Sequence, residues 1–352
     1  MSRLAALEGN CEMAVVATLG KRIASGVAVL VGLSLLIFVL VRMVPGDPAR
    51  IALGPMATPA QIAQLRERLR LDDPWPEQYA YFFTHALRGD FGESLVTKRP
   101  VSVDIREFLP ATLELVLYSG LIMIVFGLAL GVVSARYKDR VPDHLARLVA
   151  LFGVVTPSFV WAIVLMLVFG YMLEWLPIAG RLYDPLTAPQ RITGFITIDA
   201  VLRGKWTTFF DAIYHLILPA TALALAGVGQ TARLTRANMI ETYRHEYVEM
   251  MRAFGVSERK IAIRYAFRPA FIPTLTVLGL DFAALLGNAF LVELVFTWPG
   301  IARYGAQAML RKDLNAITAV VLIIGLTFVV VNIGVDLITS YINPRIRLAE
   351  AQ

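Results

Sequence analysis

Residues 237–268 read ANMIETYRHEYVEMMRAFGVSERKIAIRYAFR, a charged stretch lying between long apolar runs at 212–232 and 270–292. Ile240, Tyr243, Tyr247, Met250, Met251 and Phe254 recur at helical spacing, so the first half predicts an amphipathic helix. Gly255 supplies a left-handed stop. Ser257 followed by Glu258 predicts the cap of a second short helix, which Pro269 ends. A loop that merely joined two membrane helices would not need an apolar face over about thirty residues. This one reads as a structured handle on a membrane protein, built to dock onto something.

The composition agrees. Hydrophobic residues make up 57% of the 352 residues and charged residues 17%, with a mean hydropathy of +0.64, far from the balance of a soluble domain. Six runs approach the length of about 20 apolar residues that a hydrocarbon core demands. They fall at 23–43, 109–134, 148–173, 212–232, 270–292 and 314–336; the second carries Glu114 and the fifth Asp281. Backbone polar groups in lipid must be satisfied within each segment, so an all-α integral membrane protein of six transmembrane helices is expected.

Lysine and arginine set the expected orientation. With residues 1–22 inside, the inner set includes the loop 135–147, the segment 233–269 and the tail 337–352. These inner segments carry seventeen basic residues, against seven in the outer loops 174–211 and 293–313. The outer segment 44–108 is too long to count. Both termini are therefore expected in the cytoplasm, and the net charge of +6 is a topological signal, not a nucleic-acid footprint. Cys11 is the single cysteine, which excludes an internal disulfide and a cysteine metal cluster. The first run is longer than a signal-peptide core and no small-residue cleavage site follows it, so it is expected to remain as an anchor.

Segment 44–108 predicts a helical extracytoplasmic cap. Val44-Pro45-Gly46-Asp47-Pro48 turns the chain, and Thr58 caps a helix with Pro59 at its first position and Ile62, Leu65 and Leu69 on one face. Asp72-Asp73-Pro74-Trp75-Pro76 ends it, before a second helix bearing Tyr79, Phe82, Phe83 and Leu87. No internal repeat is evident, which weighs against carriers built from inverted repeats.

Catalytic motifs are missing. His245-Glu246-Tyr247-Val248-Glu249 lacks the second histidine of H-E-x-x-H, and His85, His144 and His215 lie in other segments. Neither a G-x-x-x-x-G-K-[ST] loop nor G-x-S-x-G occurs. Polar residues at membrane depth are costly and so informative. Asp281 and Asn288 share a face of the fifth span with Glu293 beyond, and Asn332 and Asp336 share a face of the sixth. They either line a translocation path or hydrogen-bond between packed helices; Glu114 reads as interfacial or packed against another helix.

Glu249-Met250-Met251-x-x-x-Gly255 resembles the E-A-A-x-x-x-G loop of permease subunits of bacterial ABC importers. Further strings in the same order are Asp90-Phe91-Gly92-Glu93-Ser94, Pro110-Ala111-Thr112-Leu113-Glu114-Leu115, Ile217-Leu218-Pro219, Trp298-Pro299-Gly300 and Asn343-Pro344-Arg345-Ile346-Arg347. With the Pro45-Gly46-Asp47-Pro48 turn they look like the B-type permease of dipeptide, oligopeptide and nickel importers. Thr193-Gly194-Phe195 and Ile198-Asp199 look closest to the dipeptide branch. The resemblance implies the type I ABC importer permease fold in a bacterial inner membrane. It implies half of a heterodimeric pore beside a second permease, two ATPase subunits holding ATP and Mg, and an extracytoplasmic solute-binding protein. This chain would bind no cofactor. Tyr247, Glu249, Met250, Met251, Phe254, Gly255 and Ser257 would form the ATPase-coupling segment, with Asp281, Asn288 and Glu293 as translocation-path candidates.

This chain departs from the family pattern in three places. Methionines replace both motif alanines, Phe267-Arg268 stand where Leu-Pro is usual, and residues 1–20 precede the usual start, which makes Met13 an alternative start. The competing readings are an ABC importer of nickel or another small solute and a stand-alone ion-coupled carrier using Asp281.

Overall fold

The computed structural model describes residues 2–43, 47–54, 56–68 and 70–342. The Val44-Pro45-Gly46 part of the turn, Leu69 and the Asn343–Arg347 string lie outside the described residues. Helix α1 (Ser2–Met43) runs unbroken from the expected N-terminal segment into the first span. Asp47 caps α2 (Pro48–Leu53) by accepting the Ala49 N–H at 3.0 Å. Helix α3 (Pro59–Arg68) opens on a capping box. The Thr58 N–H donates to Gln61 Oε1 at 2.9 Å, and the Gln61 N–H reaches Thr58 Oγ1 at 3.4 Å. Then come α4 (Trp75–Leu87), α5 (Val101–Arg136), α6 (Val141–Val155) and α7 (Ser158–Leu165), the last continuing as a π-helical turn, Met166–Met172.

The span expected at 148–173 is a bent pair: α6 and the α7 segment meet at 110°. Pro157 is the cause, since its ring forces Thr156 into extended backbone at φ −91°, ψ 123°. Next are α8 (Ile196–Leu202), α9 (Trp206–Thr242), α10 (Glu246–Ala253) and α11 (Glu258–Lys260). A π segment, Ile261–Ala266, leads into α12 (Phe267–Val295), followed by α13 (Ile301–Leu310) and α14 (Leu314–Ile342). Among the described residues, five helical segments are long and apolar enough to cross a membrane, or six when the bent pair counts as one.

The chain divides into two units. One comprises Met1–Val15, Ala111–Pro299 and Val331–Gln352; the other comprises Val16–Pro110 and Gly300–Val330. In the first, α9 is central, packed by α6, α7, α8 and α12 around buried Leu115, Met123, Leu223 and Leu285. Glycines permit this close packing. A Cβ on Gly127 would lie 2.7 Å from Thr231 Cβ, and one on Gly131 would lie 2.8 Å from the Ala232 carbonyl. On another side of α9, a Cβ on Gly153 would meet the Leu225 carbonyl at 2.6 Å. Such small-residue contacts let backbones approach where lipid offers no hydrophobic drive between helices.

In the second unit, α13 forms inside what reads as the outer loop 293–313. Ile301, Tyr304 and Ala308, at i, i+3 and i+7, are buried against Val101, Ala316 and Val320. Asp313 ties this core together. Its carboxylate accepts Ser94 Oγ and the Leu95 N–H at 2.6 Å each, the Val96 N–H at 3.2 Å and the Ala316 N–H at 3.1 Å.

Candidate functional site: a seated helix between two long spans

The expected continuous helix from Ile240 to Phe254 is interrupted. Helix α9 stops at Thr242, a turn follows, and α10 starts anew at Glu246 with His245 in extended backbone. An eight-residue helix is marginal alone, since nucleation is costly and few bonds follow it. Three features hold α10. Glu246 and Glu249 lie in its first turn and Arg252 in its last, complementing the helix dipole. Val248 is fully buried, and the helix packs against the π segment, whose Ile261, Ala262 and Ala266 are buried too. The end is a Schellman turn: the Gly255 N–H donates to the Arg252 carbonyl at 2.9 Å and the Val256 N–H to the Met251 carbonyl at 3.0 Å. Gly255 sits at φ +73°, where an L side chain is strained.

The second anchor is Tyr247. Its hydroxyl donates to the Tyr265 carbonyl at 3.1 Å. That carbonyl is the one an α-helical residue 269 would bond, and Pro269 has no N–H to give. Burial pushes the Tyr247 phenol pKa up, so the donor keeps its proton. Pro269 does not end the second helix as its position predicts. It lies in the first turn of α12, where a missing N–H is tolerated, and the π segment absorbs the change of register. Ser257 occupies the cap position of α11, but its hydroxyl makes no capping hydrogen bond.

With Val248, Tyr247 and half-buried Met251 turned inward, Met250 and Phe254 are left outward, 53% and 75% exposed. They are one helical turn apart and therefore on one face. Glu249 is exposed beside them, and Arg252 Nε donates to Glu258 Oε1 at 2.8 Å, which raises the arginine pKa further. The handle thus presents an apolar pair with a charged rim. Val248, the residue that seats it, did not stand out in the sequence because it falls outside the 240–254 apolar stripe once α9 and α10 are separate helices.

The path candidates lie elsewhere on α12. Asp281 is half-buried and Asn288 exposed, whereas Glu293 is fully buried and accepts the Thr112 hydroxyl. Asn332 and Asp336 are half-buried on α14. Glu114 is packed: it is 1% exposed, accepts the N–H and hydroxyl of Thr197 at 2.9 and 2.6 Å, and pairs with Arg181. Several short strings from the sequence become contacts here. Trp298 Nε1 donates to the Ala111 carbonyl at 2.9 Å. Asp199 gathers the N–H groups of Ile192, Thr193 and Gly194 and the Thr193 hydroxyl. Burial alone would raise the Asp199 carboxyl pKa, but these donors hold it below the usual carboxylate range.

Long apolar helices and glycine-mediated crossings define a multi-pass α-helical membrane protein, with α10 exposing an apolar pair between two spans. Residues 127–348 match the family described as binding-protein-dependent transport system inner membrane component, and residues 15–116 match its N-terminal part. The chain belongs to this family, the permease subunits of ABC transport systems. It is 38% identical to a probable D,D-dipeptide transport system permease protein of Escherichia coli (strain K12), over 91% of this chain and 94% of the relative. A dipeptide transport system permease protein of Alkalihalophilus pseudofirmus is 36% identical over 93% of this chain and 98% of its own length. A glutathione transport system permease protein of Salmonella typhimurium is also 36% identical, over 93% and 97%.

Proposed function

We propose that this chain is one half of the pore of an ATP-driven importer of dipeptides or oligopeptides in a bacterial inner membrane. In this reading α10 is the element that receives force from a partner ATPase. The observation that carries it is the handle itself: Met250 and Phe254 are held outward by a helix whose other face, with buried Val248 and with Tyr247 bonded to the Tyr265 carbonyl, packs on the π segment that leads into α12. Displacement of α10 by a closing ATPase pair would pass through this seat to α12, rocking the spans between inward- and outward-facing arrangements. The relatives named above support a peptide as substrate. A second permease would complete the pore, two ATPase subunits would hold ATP and Mg, and an extracytoplasmic binding protein would deliver the solute. This chain contributes no ATPase site of its own.

The test is reconstitution. Liposomes holding this chain, its partner permease and ATPase subunits, with binding protein added, should accumulate labelled dipeptide only with ATP, and the chain alone should hydrolyse none. Accumulation by the chain alone under an ion gradient would establish a carrier instead. Uptake of nickel but not peptide would move the substrate.

Orientation has its own measurement. Ser257 and Ala60 are exposed. In intact spheroplasts an impermeant thiol reagent should label Ala60→Cys and spare Ser257→Cys, with Cys11 replaced by Ser. The opposite pattern would invert the topology and place α10 away from any cytoplasmic ATPase.

A further inference from the structure

The unit made of Val16–Pro110 and Gly300–Val330 contains a cavity of about 250 Å³ walled by the last turn of α1, by α4 and by the start of α14. Its chemistry is asymmetric. Phe38, Phe82 and Leu314 supply apolar wall, while Arg42 and Lys312 supply positive charge. Arg42 is half-buried, with its guanidinium carbon 3.5 Å from the Phe38 ring centroid. Its Nε donates to Gln78 Oε1 at 2.8 Å, and Nη1 reaches the Phe38 carbonyl at 3.5 Å. Gln78 is locked in that orientation, because its amide nitrogen donates to the Leu71 and Asp73 carbonyls at 3.0 and 2.8 Å.

Arg42 is therefore deliberately placed, yet it has only neutral acceptors. Among the described residues no carboxylate pairs with it, and Nη2 has no protein acceptor. Two carboxylates line the same cavity. Asp313 is spent on four donors within the protein, and Asp90 is exposed and accepts the Gly92 N–H. A half-buried cation without a counter-charge is costly, and a ligand anion would offset that cost.

Depth identifies the source of the anion. The apolar segment Arg22–Met43 has 22 residues. At about 1.5 Å per residue it spans about 33 Å against a hydrocarbon core of about 30 Å. Arg42, one residue from its end, lies at the level of lipid phosphates. Leu36 and Leu40, in the same final stretch of α1, are exposed as a lipid-facing surface.

We propose that this cavity is a phospholipid site. Arg42 and Lys312 pair with the phosphate, and an acyl chain lies along Phe38, Phe82 and Leu314. The ligand would tie α1 to α4 and α14 within this unit.

Native mass spectrometry of the full chain in detergent, titrated with phosphatidylglycerol, tests this. Wild type should retain one lipid molecule, and Arg42→Gln should weaken retention about tenfold, a factor equivalent to about 1.4 kcal/mol. Lys312→Gln, at an exposed position, should weaken it less and guards against an Arg42→Gln chain that fails to fold. Inorganic phosphate and glycerophosphoglycerol, which lacks acyl chains, should neither bind nor raise the melting temperature. Equal lipid retention by wild type and both variants would overturn the proposal. So would stabilisation by inorganic phosphate alone, which would mark a free-anion site, or displacement of the lipid by an acidic peptide, which would mark a protein-docking site.

Discussion

Gly255→Val is expected to leave the chain in the membrane at near wild-type amount while reducing ATP-driven peptide uptake by about tenfold or more. The argument is conformational. Gly255 adopts φ +73°, and a Cβ added there would meet nothing within 4 Å, so the substitution disturbs no packing. It does strain the left-handed turn, at a cost of about 1–2 kcal/mol that is larger for a β-branched side chain. An equilibrium shift of that size changes the population of the competent geometry by about 5–30-fold. The Schellman bonds from Gly255 and Val256 open, α10 loses its end, and Met250 and Phe254 no longer hold their face. Because strain and not volume is at issue, the order of severity should be Asn, then Ala, then Val, since asparagine tolerates the left-handed region best. Tyr247→Phe removes only the bond to the Tyr265 carbonyl, a net loss of about 0.5–1.5 kcal/mol, and should lower the uptake obtained per ATP hydrolysed by less. Uptake by all four variants at the wild-type rate, measured in reconstituted liposomes, would remove α10 from the coupling role.

The fold class was legible because lipid leaves the backbone few choices: long apolar runs must be helices, and their count follows from length. The breaks were less legible. Pro157 was visible, but a proline within an apolar run can kink a span or split it, and only packing decides on the 110° bend. Helix α13 was hidden for another reason. Tyr304, Gly305 and Ala308 look loop-like beside the Trp298-Pro299-Gly300 turn until the core around Val101 and Val320 gives Ile301 and Tyr304 something to face. Within residues 237–268 the apolar residues were legible, but not which of them turn inward and which outward. A stripe read at helical spacing cannot show that a turn at 243–245 rotates α10 relative to α9, so that Val248 goes in and Phe254 goes out. One signal was present and unused: Gly127-x-x-x-Gly131 has the spacing of a close helix crossing, and it meets Thr231 and Thr235.

Asp143→Ala should be the most destabilising single change where α5, α6 and α9 meet, by about 3–5 kcal/mol, because it leaves a partly buried arginine without its counter-charge. In the sequence this residue is one acid among the basic loop that set the topology. In the structure it is fully buried and accepts four donors. Ser134 Oγ and Arg236 Nε reach Oδ1 at 2.5 and 2.7 Å, and the Asp139 N–H and Arg236 Nη2 reach Oδ2 at 2.9 and 2.8 Å. One carboxylate thus fixes the end of α5, the turn after it and the C-terminal half of α9, the helix that leads into α10. Asp143→Asn keeps the shape but loses the charge, so it should lie between wild type and alanine. The paired change Asp143→Leu with Arg236→Met removes both charges together and should recover much of the loss, since replacing a buried ion pair by apolar groups of similar volume is often neutral. Melting temperatures of wild type and the three variants in detergent, followed by tryptophan fluorescence, give the comparison. If Asp143→Ala melts with wild type, or if the double change is worse than alanine alone, the cluster does not carry the stability assigned to it, and the junction of α5 with α9 must rest on the glycine crossings.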